Sequence, residues 1–178
     1  MLLFMDGARL GYGLAAPGND LTLADLARLC DVFYIGGTKV GALFGEAVVI
    51  SHPMLKEDFR YMIKQHGGML AKGWLLGIQF EALFEDGLYF QITSHALKLA
   101  EQMRETFTQC GFSFYVDSST NQLFPILPDC LLEKLGEKYV CTYQCRVSDT
   151  HSAVRFCTSW ATRQESVDAF CGDLKALV

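Results

Sequence analysis

The sequence has no block of like charges, no CxxC pair, no internal repeat or low-complexity tract, and no apolar stretch long enough to cross a bilayer. Each absence removes a class of protein. With 15 Lys and Arg against 20 Asp and Glu, there is no basic stripe to meet phosphate backbones or anionic lipid, so neither nucleic acid nor a membrane is an expected partner. The opening MLLFM is apolar but stops at Asp6 and carries no basic leader or cleavage motif, which makes the cytoplasm the expected location. Seven cysteines, of which only Cys141 and Cys145 lie close together, offer neither a disulfide framework nor metal-site spacing. They read as reduced, buried thiols, and no metal site is expected.

What is present is a chain of 178 residues, 51% of them hydrophobic, long enough for one substantial domain or two small ones. "LLFM" reads as a buried strand ending at Asp6. A loop through Pro17, Gly18 and Asn19 leads to a helix in "LTLADLARLC", capped at Asn19, Asp20 or Thr22. Strands "VFYIG" and "EAVVI" follow, then helices over 54–66 and 70–84 separated by Gly67-Gly68, and a long amphipathic helix over 89–109. From Gly111 the pattern changes to short strands interleaved with helices at 130–137 and 164–177, the texture of a small α+β domain with a mainly antiparallel sheet. The domain boundary is expected within residues 88–112.

The chemistry concentrates between the early strands. "GGTKVGALFG" places Lys39 among glycines that permit close backbone approach to a ligand, beside the hydroxyl of Thr38. Burial among apolar neighbours would lower the lysine pKa and free the amine for attack on a carbonyl. The order differs from a phosphate-binding loop, because the lysine precedes the spacer. Taken alone, a surface or structural lysine explains the segment as well. Upstream, "MDGARL" puts Asp6 at a strand end and Arg9 at i+3, in the crevice where open α/β sheets bind ligands. An Asp–Arg pair fixing a turn is the competing explanation. Tyr12, Phe33, Tyr34, Phe44, Trp74 and Phe80 read as core or interface packing, and His66 as the histidine nearest a site.

A strand-end Asp followed by a helix, a strand and a lysine supplies the two protein groups that pyridoxal phosphate (PLP) most requires. With "DGAR" and "GGTK" in this order, the chain resembles the aspartate-aminotransferase-like superfamily of PLP enzymes. Through "FMDGARL", "CDVFYIGGTKVGALFGEAVVI", "GGMLAKG" and "AVRFCTSW" it more narrowly resembles the threonine aldolase group of the β-eliminating lyase family, over nearly its whole length. The resemblance implies an α/β fold, with residues 1–100 as the C-terminal part of a fold type I large domain and 101–178 as a small α+β C-terminal domain.

It further implies that Asp6 pairs with the cofactor's pyridine nitrogen, that Lys39 carries the cofactor as a Schiff base, and that Thr38 approaches its phosphate. Arg9 and Arg155 would bind the substrate carboxylate. Where the family often has an arginine reaching a phosphate across a dimer interface, this chain has Leu70, with Lys72 two residues on. The implied reaction is cleavage of the Cα–Cβ bond of a β-hydroxy-α-amino acid such as threonine, giving glycine and an aldehyde. Implied partners are copies of the chain in a homodimer or homotetramer, or the N-terminal half that relatives carry, which supplies the phosphate-cradling turn and the ring stacked on the pyridine. The alternatives are another fold type I enzyme, an aminotransferase or β-eliminating lyase, and a non-catalytic assembly module.

Overall fold

The computed structural model describes residues Met1–Val178, and the chain divides into two compact units, Met1–Thr93 and Ser94–Val178. In the first, strand β1 (Phe4–Met5) pairs parallel with β2 (Val32–Gly36), which pairs antiparallel with β3 (Glu46–Ile50). Helix α1 (Leu10–Ala15) and helix α2 (Leu23–Leu29) lie between β1 and β2. The start of α2 is set by a capping box: the Asp25 N–H donates to the Thr22 hydroxyl at 3.2 Å, and the Thr22 N–H donates to the Asp25 carboxylate at 2.8 Å.

Helix α1 lies ahead of the loop through Pro17, Gly18 and Asn19, in a stretch where the sequence predicts no helix. Its sequence, LGYGLA, has two glycines and no side-chain cap, so packing holds it. Tyr12 is buried, and a Cβ on Gly11 would meet the side chains of Thr93 and Tyr89 at 2.7 Å. The "LLFM" segment is not a buried strand either. Only Phe4 and Met5 are extended in the sheet, and Leu2, Leu3 and Phe4 are half exposed because β1 is an edge strand with no neighbour beyond it.

Beyond β3 the helix expected over 54–66 is split into a 3₁₀ turn at Pro53–Leu55 and helix α3 (Phe59–Gln65), with Asp58 between them in the left-handed region at φ 53°. Gly67 ends α3 with φ 76°, and the Gly68 N–H returns to the Ile63 carbonyl at 2.8 Å. Helix α4 (Trp74–Phe84) follows, then α5 (Leu88–Gln109), within which the two units meet in sequence.

The second unit is a four-stranded antiparallel sheet in the order β4 (Phe114–Val116), β5 (Gln122–Pro128), β7 (His151–Cys157), β6 (Thr142–Arg146). Strand alternation sends Leu123 and Leu127 of β5, and Val154 and Phe156 of β7, into one core. Leu99, Met103 and Phe107 of α5, Leu131 and Leu135 of α6 (Asp129–Gly136), and Val167, Phe170 and Leu174 of α7 (Gln164–Leu177) complete it. The α7 set falls at i, i+3 and i+7, one helical face. Truncating a fully buried member such as Leu174 to Ala would cost about 2–5 kcal/mol. All seven cysteines are free; Cys130 and Cys157 are exposed rather than buried. No helix is long and apolar enough to cross a membrane.

Candidate active site

Two glycines bring the ends of β1 and β2 together. A Cβ on Gly7 would lie 1.7 Å from the Tyr34 carbonyl oxygen, and one on Gly36 would lie 2.5 Å from the Ala8 oxygen, so neither position admits a side chain. The Gly36 N–H donates to the Gly7 carbonyl at 2.9 Å. With Met5 in register with Phe33, the next residue, Asp6, comes beside Tyr34.

The two side chains are hydrogen bonded: the Tyr34 hydroxyl donates to Oδ1 of Asp6. The Ala8 N–H donates to the same oxygen at 3.0 Å, and Oδ2 accepts nothing. The Tyr34 hydroxyl, then the Ala8 N–H, with weaker help from the charges of Lys39 and Arg9, hold the Asp6 carboxyl below its ordinary value. The same hydrogen bond is the main reason the Tyr34 phenol is pushed up to about 12.

Lys39 occupies a 3₁₀ turn, Thr38–Val40, between β2 and β3. The Tyr12 hydroxyl donates to the Lys39 carbonyl, and Val40 is fully buried. These anchors turn the lysine side chain outward. Lys39 is therefore exposed, not buried among apolar neighbours as the sequence suggested, and its amine has no hydrogen bond or ion-pair partner. Thr38 is exposed beside it.

The loop beyond Lys39 reverses at Gly41 and Gly45, with φ 99° and 89°. Helix α4 supports it. Gln79 accepts the Leu43 N–H at 2.7 Å, and the space a Cβ on Gly45 or Gly37 would need is taken by Leu76 and Phe80. Tyr89 of α5, fully buried and stacked on Phe84 with ring centroids 5.1 Å apart, donates to the Gly36 carbonyl at 3.4 Å. Burial pushes its phenol up to about 12.

Arg9 precedes the first turn of α1, half-buried, and forms no ion pair with Asp6, so the pair does not fix the turn by itself. Lys72 is exposed in the turn ahead of α4. His66 caps α3 through the Met62 carbonyl at 2.9 Å. Arg155 lies on β7 in the second unit, on the face opposite Val154 and Phe156, with Nη1 3.5 Å from the Gln122 carboxamide oxygen. Its Nε is buried without a partner, and no carboxylate pairs with it, whereas Arg146 in the same unit is paired with Asp129. No group of three or more His, Cys, Asp or Glu is placed to hold a metal ion.

Tyr34, Gln79 and Tyr12 are the residues that sequence reasoning left out of the site. A signal for Tyr34 existed: in a strand whose Phe33 and Ile35 are buried, the residue between them faces the other way, beside the strand-end aspartate.

The first unit thus presents, at the ends of two adjacent strands, a carboxylate held ionised with one oxygen uncommitted and an unpaired amine on a braced turn. A structure of SPT with its PLP internal aldimine superposes with a TM-score of 0.65 at 13% identity, covering 99% of this chain and 47% of that one, so the two share a fold. In both sequence and structure the chain is similar to threonine aldolases. It is 31% identical over 179 residues to the low specificity L-threonine aldolase of Pseudomonas sp. (strain NCIMB 10558), covering 99% of this chain and 50% of the relative. It superposes on the Leishmania major threonine aldolase with a TM-score of 0.96 at 45% identity, covering 99% of this chain and 52% of that one. The chain thus spans about half the length of these relatives. No protein-family model matches it.

Proposed function

We propose that the chain contributes the lysine- and aspartate-bearing part of a PLP-dependent lyase that cleaves threonine, or a related β-hydroxy-α-amino acid, between Cα and Cβ. The observation that carries this reading is the pairing of an uncommitted, ionised Asp6 oxygen with the unpartnered amine of Lys39 at adjoining strand ends. The chain spans about half the length of these relatives, and this reading takes the remainder of the site from elements beyond these residues; chain and elements together are the complete enzyme.

Bound PLP supplies an electron-accepting ring for the pair released when Cα–Cβ breaks. Asp6 Oδ2 would hold the proton of the ring nitrogen, and Lys39 would hold the cofactor through its amine and yield that position to the substrate amino group. Thr38 and Lys72 would meet the phosphate. Arg155, with Arg9, would grip the substrate carboxylate, a planar two-point contact that guanidinium makes and ammonium does not. Support for Arg155 is its buried Nε without a protein partner. The setting is the cytoplasm, and the assembly is a homo-oligomer.

The test is borohydride reduction of the PLP-loaded complete enzyme followed by peptide mapping, with product analysis on threonine. Fixation at Lys39, its loss in Lys39→Ala, and release of glycine and acetaldehyde are expected. Fixation at Lys64 or Lys72 would overturn the assignment, and formation of a keto acid would indicate an aminotransferase.

A further inference from the structure

Resting on the PLP reading, we infer that Tyr34 is a positioning residue for Asp6: by occupying Oδ1 together with the Ala8 N–H, it commits Oδ2 to the cofactor's ring nitrogen.

A carboxylate has four lone-pair directions, and a free one rotates to present either oxygen. Here two donors converge on Oδ1, one from the backbone two residues on and one from the neighbouring strand. Rotation of the carboxylate by a quarter turn would break both, and a half turn only exchanges the two equivalent oxygens. Oδ1 is thereby fixed toward the sheet and Oδ2 outward. The ring of Tyr34 is itself constrained, since its strand is paired on both edges, with Val48 opposite on β3, and its ring contacts Phe4 at 6.1 Å between centroids.

The hydroxyl acts on charge as well as direction. Donation to the carboxylate favours its ionised form, and an ionised Asp6 is what keeps a pyridine nitrogen protonated. Lys39 and Arg9 act on Asp6 in the same sense; Glu46, at the start of β3, acts on Tyr34 to keep the phenol protonated and so able to donate.

Three readouts test this. In the chain without cofactor, the Asp6 carboxyl, followed by ¹³C NMR, should titrate below 3.8 and move up toward it in Tyr34→Phe. Reciprocally, the Tyr34 phenol carbon should titrate near 12 and fall toward 10 in Asp6→Asn. This second variant keeps the tyrosine in place should Tyr34→Phe fold poorly. In the complete enzyme loaded with PLP labelled at the ring nitrogen, Tyr34→Phe should retain PLP roughly tenfold less tightly and lose the ring-nitrogen proton at lower pH than wild type. Unmoved Asp6 and Tyr34 titrations in the variants, with wild type binding PLP, would overturn the inference and leave the cofactor reading standing. Coupled titrations in a complete enzyme that does not bind PLP would overturn the cofactor reading, and the role of Oδ2 with it.

Discussion

Gln79 and Leu43 are joined by a 2.7 Å hydrogen bond from the loop N–H to the Gln79 Oε1, while Nε2 of the same carboxamide donates to Leu75 at 3.0 Å and to Phe44 at 3.4 Å. One side chain thus ties helix α4 to the loop that follows Lys39. Replacing it by Met keeps the volume and removes all three bonds. Since Leu43 is exposed, water can take over part of the loss, and the expected cost is about 0.5–1.5 kcal/mol. Amide exchange at Leu43 should quicken well beyond the chain average. Exchange unchanged from wild type would show that the loop is held by its own backbone.

The glycines separate into those the site requires and those it does not. Gly36→Ala would push a methyl into the Ala8 backbone, where carbonyl oxygen, carbonyl carbon and Cα all lie within 2.8 Å, and backbone cannot step aside as a side-chain tip can. The β1–β2 junction should open, with a loss of several kcal/mol in denaturant melts, on the order of the larger overpacking costs. Gly77→Ala in α4 meets nothing within 4 Å, so it should raise stability by about 0.5–1 kcal/mol through helix propensity. Equal effects in both variants would contradict the close crossing of the strands.

Much of this architecture is written in local pattern. The strand through Leu123, Pro125 and Leu127 and the helix α7 are visible as sequence and form where the pattern predicts, and of the three candidate caps for α2 the structure uses Thr22. Features that rest on distant residues were not legible. Helix α1 exists because Tyr89 and Thr93, far along the chain, close over Gly11. Lys39 was expected inside because its neighbours are apolar, yet it is Val40 and the Lys39 carbonyl that are drawn inward, which sends the amine out. Tyr34 looked like packing because a phenol in an apolar strand usually is, and only strand register brings it to Asp6.

In the second unit, Lys138 on the segment after α6 donates to Asp173 on α7, and this contact, with a further bond from Tyr139, holds the Asp173 carboxyl below its ordinary value of 3.8. A carboxyl depressed in the folded state contributes stability that is complete above 3.8 and is lost as pH falls through the lower folded value. Asp173→Asn should therefore lower the melting temperature near neutral pH, and the difference from wild type should close in strong acid. Both side chains are substantially exposed, so added salt should shrink the difference at neutral pH. A gap that persists undiminished below the folded value would assign the effect to packing.

Arg155 distinguishes a ligand grip from a structural arginine. A structural arginine spends its guanidinium on a carboxylate, as Arg146 does on Asp129, and losing it is destabilising. Arg155 has only a long 3.5 Å contact to Gln122, with a buried Nε left unpaired, a state that costs free energy. Arg155→Met keeps the apolar stem and removes the orphaned group, so the chain should melt at the same temperature or higher. In the complete enzyme the charge-conserving Arg155→Lys should raise KM for threonine sharply, with about 2–5 kcal/mol lost from transition-state binding, because the ammonium cannot make the two-point contact. Fixation of PLP at Lys39 by borohydride should be unchanged if, as proposed, Arg155 grips the substrate. A marked fall in melting temperature for Arg155→Met, together with an unaltered KM for Arg155→Lys, would make Arg155 a structural residue and leave the substrate carboxylate to Arg9.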